Sequence, residues 1–447
     1  MPDALHNTRQ INALNEALHL LRLNVCNPTP KVNACVKPQI FLFILGCIGL
    51  LLFARCDTTG PSVDAPPPGP GDDTTHVLTP ANEALLTTNR LAMRLDSSGA
   101  LRGLSWSGLD DLIYDAGLWL AGRQEGEVRA LVREFTRSNY IARADDQPLG
   151  VFTLTPDSLE GRRITNWPTA YNASVDDNGQ PRLLGDAMLW SAFLPGQQRG
   201  STSQTETLFK SALTGIHFTQ AVYGYEESAL QDVAFVRYEL VNDTGGNLTD
   251  LYVGFFADVD LENWPCFSAG ANATGFDPTR ALSYTYPREA IGDAVLPCPI
   301  GVLGLTFLES PVATAIPHTV TSHTILRKNV GPGSESGYAF SEATLHNPQD
   351  VLYRLQGLSS QGEPMIDPTT GLATPYAFTG DPVAETGWLD VPTEVRSLTT
   401  AGPFSLAQGQ TQRLTVAIVA AQGKVLSEAL AQLHQKVDLL KSQPEKW

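Results

Sequence analysis

The sequence predicts an all-β protein, an antiparallel β-sandwich that is either one large sandwich or two in tandem, with a C-terminal amphipathic helix. Between about residues 78 and 421, short runs rich in β-branched and aromatic residues are separated by Gly, Asn, Asp and Pro. Strands alternating with long helical patterns do not occur there, which disfavours a parallel α/β sheet. The chain has 447 residues, of which 42% are hydrophobic and 17% charged, so it can bury a large core.

Residues 1–55 read as an N-terminal extension that ends in a signal segment. The run over 40–54 carries no charge, and Lys31 and Lys37 precede it. A basic flank and an apolar run of about 7–15 residues are typical of a secretory signal, whereas a spanning helix usually needs about 20 apolar residues. We therefore expect export, with an uncleaved signal anchor as the alternative.

Cys56 follows the apolar run and begins a Pro- and Gly-rich linker over 56–77. An apolar signal ending on Cys, followed by polar chain, resembles the bacterial lipoprotein signal, which implies lipidation of Cys56. The linker favours extended chain, so it would act as a semi-rigid spacer from the membrane. We expect an extracytoplasmic, membrane-anchored lipoprotein, and we favour the outer membrane or cell surface over the inner membrane.

Charge and cysteine content agree with this location. The net charge is −17, which argues against nucleic acid as a partner because phosphates are bound by clustered Lys and Arg. Only Cys266 and Cys298 follow the linker, and an even pair in an exported protein predicts one disulfide.

The β region is divided by a polar, Gly-containing stretch near residue 200. We predict a first β region over 78–200 and a second over 201–422. Residues 233–243 and 248–260 flank a Gly-Gly turn and predict a β-hairpin. Further predicted strands are residues 117–122, 127–135, 150–156, 187–193, 215–225, 300–308, 353–358 and 411–421.

The C-terminal segment, 423–447, is predicted to be helical because five apolar residues recur at spacings of three and four. We favour docking of this helix on its own domain over a coiled-coil seam for a partner. The stripe consists of Leu426, Leu430, Leu433, Val437 and Leu440.

One acidic cluster has a physical case for metal binding. Asp258, Asp260 and Glu262 alternate along the chain, and Asn263 and Asp277 could complete a ligand shell. Spaced carboxylates are the ligands that a hard cation prefers, so the cluster is a candidate Ca²⁺ site, with an exposed acidic turn as the alternative. No G-x-S-x-G nucleophile motif, H-E-x-x-H zinc motif or phosphate-binding Gly loop occurs.

Four tryptophans lie in Gly- or Pro-flanked segments and could stack on sugars, although we favour a place for them in the core. They are Trp119, Trp190, Trp264 and Trp388.

Several phrases of the sequence resemble a large group of uncharacterised exported surface proteins of Bacteroidota-type bacteria. These include GDAMLWSAF, ALQDVAFVRYELVNDTGGNLTDLYVGFFADVDL and FTGDPVAETGWLD, and the similarity spans roughly residues 110–424. Many members carry a C-terminal sorting domain for type IX secretion, and none follows the helix here. The resemblance implies export and a β-rich fold, and no activity.

Together these observations predict an exported, lipid-anchored surface or periplasmic protein that binds or scaffolds. A glycan or a protein at the cell surface is the expected partner. The alternative is an extracytoplasmic glycan-active hydrolase, which would need two opposed carboxylates in a cleft. We favour a protein that is not an enzyme.

Overall fold

The computed structural model describes residues 74–97, 99–133, 149–193, 215–261, 267, 272–311, 320–327, 339–341, 347–359, 361–391 and 395–447. The signal segment, Cys56, Glu262, Asn263, Trp264 and Cys266 lie outside these residues. Lipidation and the linker over 56–73 therefore stay predictions, whereas the end of the predicted linker is wrong, because Thr74–His76 form a strand paired with Arg162–Ile164.

The described residues form nineteen strands and three α-helices. The first ten strands are β1 (Thr74–His76), β2 (Glu83–Leu86), β3 (Leu91–Asp96), β4 (Leu101–Trp106), β5 (Ile113–Gln124), β6 (Glu127–Arg133), β7 (Phe152–Leu154), β8 (Arg162–Ile164), β9 (Ala187–Phe193) and β10 (Ile216–Gly224). The others are β11 (Val233–Asn242), β12 (Leu248–Val259), β13 (Asn272–Asp277), β14 (Leu282–Pro287), β15 (Ile300–Glu309), β16 (Ser322–Arg327), β17 (Ala339–Ser341), β18 (Val395–Leu406) and β19 (Thr411–Gly423). The helices are α1 (Pro156–Leu159), α2 (Pro348–Leu355) and α3 (Leu426–Lys441).

Two large, mainly antiparallel sheets make up the fold. The eight-stranded sheet has the order β13-β14-β15-β19-β11-β10-β9-β7. The nine-stranded sheet has the order β17-β16-β18-β12-β5-β4-β3-β2, with β6 paired to β5. Only β16–β17 and the small separate pair β1–β8 are parallel among the described strands. The predicted all-β sandwich is confirmed.

The main core lies between the two sheets. The central strands are apolar on both faces, so they also pack against residues on the outer faces. On β12, Phe255 packs between the sheets, and the next residue, Phe256, packs on the outer face. On β11, Val236 faces the inner core and Phe235 faces outward. Alternate side chains of a strand point to opposite faces, so a strand buried on both sides reads as a continuous apolar run.

A helix covers the outer face of each sheet. Helix α3 lies on β15 and β19 of the eight-stranded sheet, and its predicted apolar stripe is buried there. Lys436 fixes the helix further, since its Nζ donates to Asp232 Oδ2 over 2.8 Å and to the carbonyl of Ala420 over 2.7 Å. Docking of the helix on its own domain is confirmed, and the stripe is not available as a coiled-coil seam.

Helix α2 replaces a predicted strand. Residues 353–358 were expected to be extended, but 353–355 end α2. Asn347 caps this helix in a capping box with Asp350, and Pro348 occupies its first turn. Those three residues are a helix start signal that outweighs the short apolar run behind them.

The predicted hairpin is also wrong, because its two strands belong to different sheets. β11 lies in the eight-stranded sheet and β12 in the nine-stranded sheet. Both strands are apolar on both faces. Each therefore buries more apolar surface in the middle of a sheet, with a neighbour on both sides, than at the edge of a two-stranded hairpin. The Gly-Gly segment therefore carries the chain from one sheet to the other.

The boundary near residue 200 does not separate two bodies. Strands from both sides of it contribute to both sheets, and residues 68–447 form one compact unit. The outcome is thus one large sandwich and not two in tandem. No helix among the described residues is long and apolar enough to cross a membrane.

Candidate functional site

The predicted calcium ligands are held apart by the two sheets. Asp258 lies at the end of β12 on the nine-stranded sheet, where it is buried and bonded to Arg396, with Nε and Oδ2 2.6 Å apart. The sheet register places Asp115, also buried, directly opposite Asp258. A buried carboxylate is stabilised by such a paired guanidinium, which here takes the place of a metal ion.

Asp277 lies on the other sheet, at the end of β13. Its Oδ2 accepts a 2.9 Å hydrogen bond from Arg280 Nη1, and its Oδ1 accepts from the backbone N–H of Thr279 over 2.8 Å. Burial by itself would raise the pKa of Asp277, but these hydrogen bonds outweigh it and hold the pKa below its usual range. Asp277 is therefore a carboxylate that belongs to an ion pair.

Of the other predicted site residues, the structure describes Asp260 and Cys298, whereas Glu262 and Cys266 lie outside the described residues. The backbone N–H of Asp260 donates to the carbonyl of Leu112 over 3.1 Å. No group of three or more His, Cys, Asp or Glu side chains within the described residues could hold a metal ion, so the arrangement does not support the calcium hypothesis. Cys298 is disulfide-bonded, and its pairing with Cys266 stays a prediction.

A cleft of about 380 Å³ opens beside Asp277, between the eight-stranded sheet and α3. This volume lies in the range of small-molecule sites. Its walls come from four segments: the end of β13, β14, the loop over 379–383, and residues 427–434 of α3. They contribute Phe276, Asp277, Pro278, Tyr284, Thr379, Gly380, Asp381, Pro382, Val383, Ser427, Leu430, Ala431 and His434.

The floor of the cleft depends on a glycine. Tyr284 on β14 lies directly over Gly275 on β13, and a Cβ added at Gly275 would stand 2.3 Å from Tyr284 Cζ. Burial raises the pKa of Tyr284, as do the charges of Asp277 and Asp381. The phenol is therefore a neutral hydroxyl at physiological pH, able to donate a hydrogen bond.

The loop over 379–383 is held in one conformation by its own hydrogen bonds. Asp381 Oδ1 accepts from the backbone N–H groups of Val383 and Ala384, over 2.8 and 3.1 Å. Phe378, just before the loop, has a φ of +57°, which is unusual for an aromatic residue. A hydrogen bond of 3.0 Å from the N–H of Phe276 to its carbonyl fixes this position. The polar atoms of the loop are thus presented by a preformed wall.

His434 supplies the unsatisfied group of the cleft. Its Nε2 is buried and has no hydrogen-bond partner within the described part of the chain. Burial lowers the pKa of His434, and the charge of Arg280 lowers it further, whereas Asp277 and Asp438 oppose the change. The imidazole is therefore neutral near pH 7, with one nitrogen that donates and one that accepts.

Helix α3 is anchored at this cleft by charge. Arg280 donates from Nε and Nη2 to the two carboxylate oxygens of Asp438, each over 2.9 Å, while it also holds Asp277. Lys441 donates to the carbonyl of Arg280, and burial lowers its pKa to about 8. This network keeps His434 and Asp277 on the same side of the cleft.

The arrangement suits a neutral ligand that carries several hydroxyl groups. The phenol of Tyr284, the imidazole of His434 and the carboxylate of Asp381 offer donors and acceptors. The prolines, Leu430 and Phe276 offer apolar surface against which the C–H face of a ring can pack. Hydrolysis would need a raised pKa on one of two carboxylates. Asp277 has a lowered pKa.

Among the site residues predicted from sequence, one lines this cleft, Asp277, and it was assigned a different role. Two signals in the sequence pointed to other residues of the cleft. His434 lies four residues after Leu430, at the edge of the apolar stripe of α3, and Gly380-Asp381-Pro382 is a turn signal. The predicted aromatic residues Trp119, Trp190 and Trp388 are buried, as favoured.

Comparisons with known proteins add little. No protein-family model and no curated protein matches the chain. A protein provisionally named an aldose 1-epimerase, from Escherichia coli K12, is 7% identical with a TM-score of 0.30, covering 76% of this chain and 99% of that one. The Slr1438 protein from Synechocystis sp. PCC 6803 is 8% identical with a TM-score of 0.27, covering 77% and 98%. Similarity at this level identifies neither a shared fold nor a function.

Proposed function

We propose that this chain is an exported, lipid-anchored β-sandwich protein that binds a neutral, polyhydroxylated ligand, such as the end of a glycan, in the cleft beside α3. The observation that carries the proposal is a ligand-sized cleft lined by His434, whose buried Nε2 has no hydrogen-bond partner among the described residues. A buried polar atom costs about 1–3 kcal/mol when it has no partner, so a ligand hydroxyl that reaches it gains affinity.

Binding, and not hydrolysis, fits the carboxylates of this cleft. Asp277 is engaged by Arg280, and Asp381 stabilises the turn that carries it. Asp277, whose pKa is lowered, is not placed as a general acid, which requires a carboxyl group that stays protonated. The role of the protein would then be recognition at the cell surface.

Ligand binding is tested by thermal unfolding of residues 68–447 with maltotriose, cellotriose, xylotriose and chitotriose. A ligand at 100 times its dissociation constant stabilises the native state by about 2.7 kcal/mol, which raises the midpoint by a few degrees. We expect His434→Ala to abolish the shift and the exposed neighbour Gln435→Ala to keep it. The proposal fails if no sugar shifts the midpoint, or if His434→Ala responds like the wild type. Release of shorter sugars during incubation would favour the hydrolase instead.

Anchoring is tested separately, with the full chain produced in a bacterium that processes lipoproteins. Labelled palmitate should be incorporated into the wild type and not into Cys56→Ala, and the variant should leave the membrane fraction. Labelling of Cys56→Ala equal to that of the wild type would contradict lipidation at this residue. That result would not bear on the cleft.

A further inference from the structure

A second polar site lies on the outer face of the eight-stranded sheet, away from the cleft. Arg237 on β11 points outward between Phe235 and Glu239, and its cross-strand neighbours are Ala221 and Thr415. Its guanidinium carbon lies 5.7 Å from the ring centre of Tyr223. Arg237 therefore lies against an aromatic ring, on a sheet face that other residues largely cover.

The guanidinium of Arg237 is not fully satisfied by its described neighbours. Its Nε is buried without a hydrogen-bond partner, and the residue forms no ion pair within the described ranges. The hydroxyl of Tyr223, on a residue with no exposed surface, faces this guanidinium, which lowers the pKa of the phenol against the larger effect of burial. An arginine cannot lose its proton or accept a hydrogen bond, so its Nε still lacks an acceptor.

The nearest carboxylates are already engaged by another arginine. Arg413 donates to Glu239 Oε1 over 3.0 Å and to Glu309 Oε1 over 3.3 Å. Thr415 also donates to Glu309, over 3.1 Å. Both carboxylates therefore hydrogen-bond to Arg413, and neither forms an ion pair with Arg237.

A small cavity adjoins Arg237 and has room for a group of only two or three atoms, at about 20 Å³. Trp167 and Trp190 form one side, with ring centres 5.0 Å apart. The exposed Arg182 lines it too and forms no ion pair among the described residues, and Glu239 is its one acidic neighbour. Two cationic side chains thus meet one carboxylate that is bonded elsewhere.

We propose that this cavity binds a carboxylate group, which Arg237 holds through its guanidinium fork. A planar carboxylate matches the paired N–H groups of arginine and accepts the hydrogen bonds that are missing. A water molecule would fill the same space, but it offers no negative charge to the two arginines that line the cavity. The ligand class is a small monocarboxylate or the acid group of a larger molecule, such as a uronic acid.

The test measures acetate and D-glucuronate binding to residues 68–447 by titration calorimetry, at constant ionic strength set with chloride. We expect saturable binding of at least one of the two to the wild type, and at least a tenfold loss of affinity in Arg237→Gln. Arg123→Gln, which removes an arginine from the other sheet, is the matched control and should bind as the wild type does.

Several outcomes distinguish the possibilities. If Arg237→Gln does not fold, Arg237→Lys keeps the charge and loses the fork, and its affinity should fall about tenfold. Absence of binding to the wild type, or equal affinity in the Arg237 variants, would overturn the proposal and leave water as the occupant. His434→Ala should bind the carboxylate normally, so failure here is separate from failure of the cleft.

Discussion

A single glycine decides whether the floor of the cleft can form. Gly275 has no side chain, and Tyr284 occupies the space where one would stand. Gly246 is the matched control position for Gly275, because a Cβ added at Gly246 would meet no atom within 4 Å. The two positions therefore separate the effect of crowding from the general effect of replacing glycine.

We expect Gly275→Ala to destabilise the protein by about 1–3 kcal/mol, because Tyr284 must leave its position or the strands must separate. The same variant should weaken any ligand of the cleft. Urea unfolding measures the first effect, with Gly246→Ala expected to stay within about 0.5 kcal/mol of the wild type. Equal stability of Gly275→Ala and the wild type would contradict the described position of Tyr284.

His323 predicts a pH dependence of folding. The ring is fully buried, stacks on Phe276 at 4.8 Å and has Nδ1 3.1 Å from Thr399 Oγ1. Burial lowers its pKa to about 3, whereas the unfolded chain has the ordinary value near 6.5. As the pH falls below 6.5, the unfolded state takes up the proton first, so stability is lost between pH 6.5 and about 3.

The loss should approach about 1.4 kcal/mol per pH unit, or about 2 kcal/mol between pH 7 and pH 5. His323→Gln does not titrate, so its free energy of unfolding should fall less over the same interval, although it starts lower. Urea unfolding at pH 7, 6 and 5 gives the difference between the two proteins. A constant difference across these three values would show that His323 does not cause the pH dependence.

At the scale of elements, the helices and strands that repeat a simple pattern could be predicted, and those that depend on distant partners could not. β9, β10, β15 and β19 are long apolar runs, and they were predicted. β13 and β14 contain Gly, Asn or Pro and were not among the predicted strands, yet they are paired and buried in the sheet. Their stability comes from β15 and the packing around them, which local sequence does not reveal.

The connection between β11 and β12 shows the same limit. Asn242 is fully buried there, and its Nδ2 donates to the carbonyls of Gly246 and Leu406 over 2.8 and 2.7 Å. Its Oδ1 accepts from the N–H of Thr244 over 2.9 Å. The Gly-Gly signal predicted a turn correctly. The hydrogen bond to Leu406 of β18, more than 160 residues away in the chain, connects this turn to the nine-stranded sheet.

Helix α3 should be essential for the stability of the folded chain. Leu433 is fully buried and lies against Gly304 of β15, where an added Cβ would stand 2.8 Å from Leu433 Cδ1. Leu433→Ala should cost about 2–5 kcal/mol, because the removed atoms leave a cavity. The exposed neighbour Gln432→Ala should change the free energy of unfolding by less than about 0.5 kcal/mol. A small effect at Leu433 would mean that the helix is only loosely docked.

At the scale of the whole molecule, the site could not have been located from sequence, because its walls meet only in the folded chain. Asp277, Asp381 and His434 are separated by about 100 and about 50 residues. Likewise, the acidic alternation after β12 suggested a shared site, but it could not show that Arg396 would pair with Asp258. Sheet register, which follows from the complete topology, decides both.

The mixed origin of the sheets predicts that halves of the chain do not fold alone. β5 pairs with β12, and β9 pairs with β10, across the stretch near residue 200. Residues 68–200 and 201–447, produced separately, should show no cooperative thermal transition, whereas 68–447 should show one. Mixing the two pieces is the control, since complementary fragments of one domain can restore the transition. A cooperative transition in either piece alone would restore the two-domain interpretation.

The place of β19 in the eight-stranded sheet has a kinetic consequence. This strand is the last one in the chain, yet it lies in the middle of the sheet, between β11 and β15. Neither neighbour can be fully paired until residues 411–423 are available. Such non-local pairing makes folding slow, and it postpones closure of the core until synthesis is almost complete. The eight-stranded sheet therefore stays incomplete until almost the whole chain has been synthesised, and an incompletely folded polypeptide is one that can be threaded through a narrow channel.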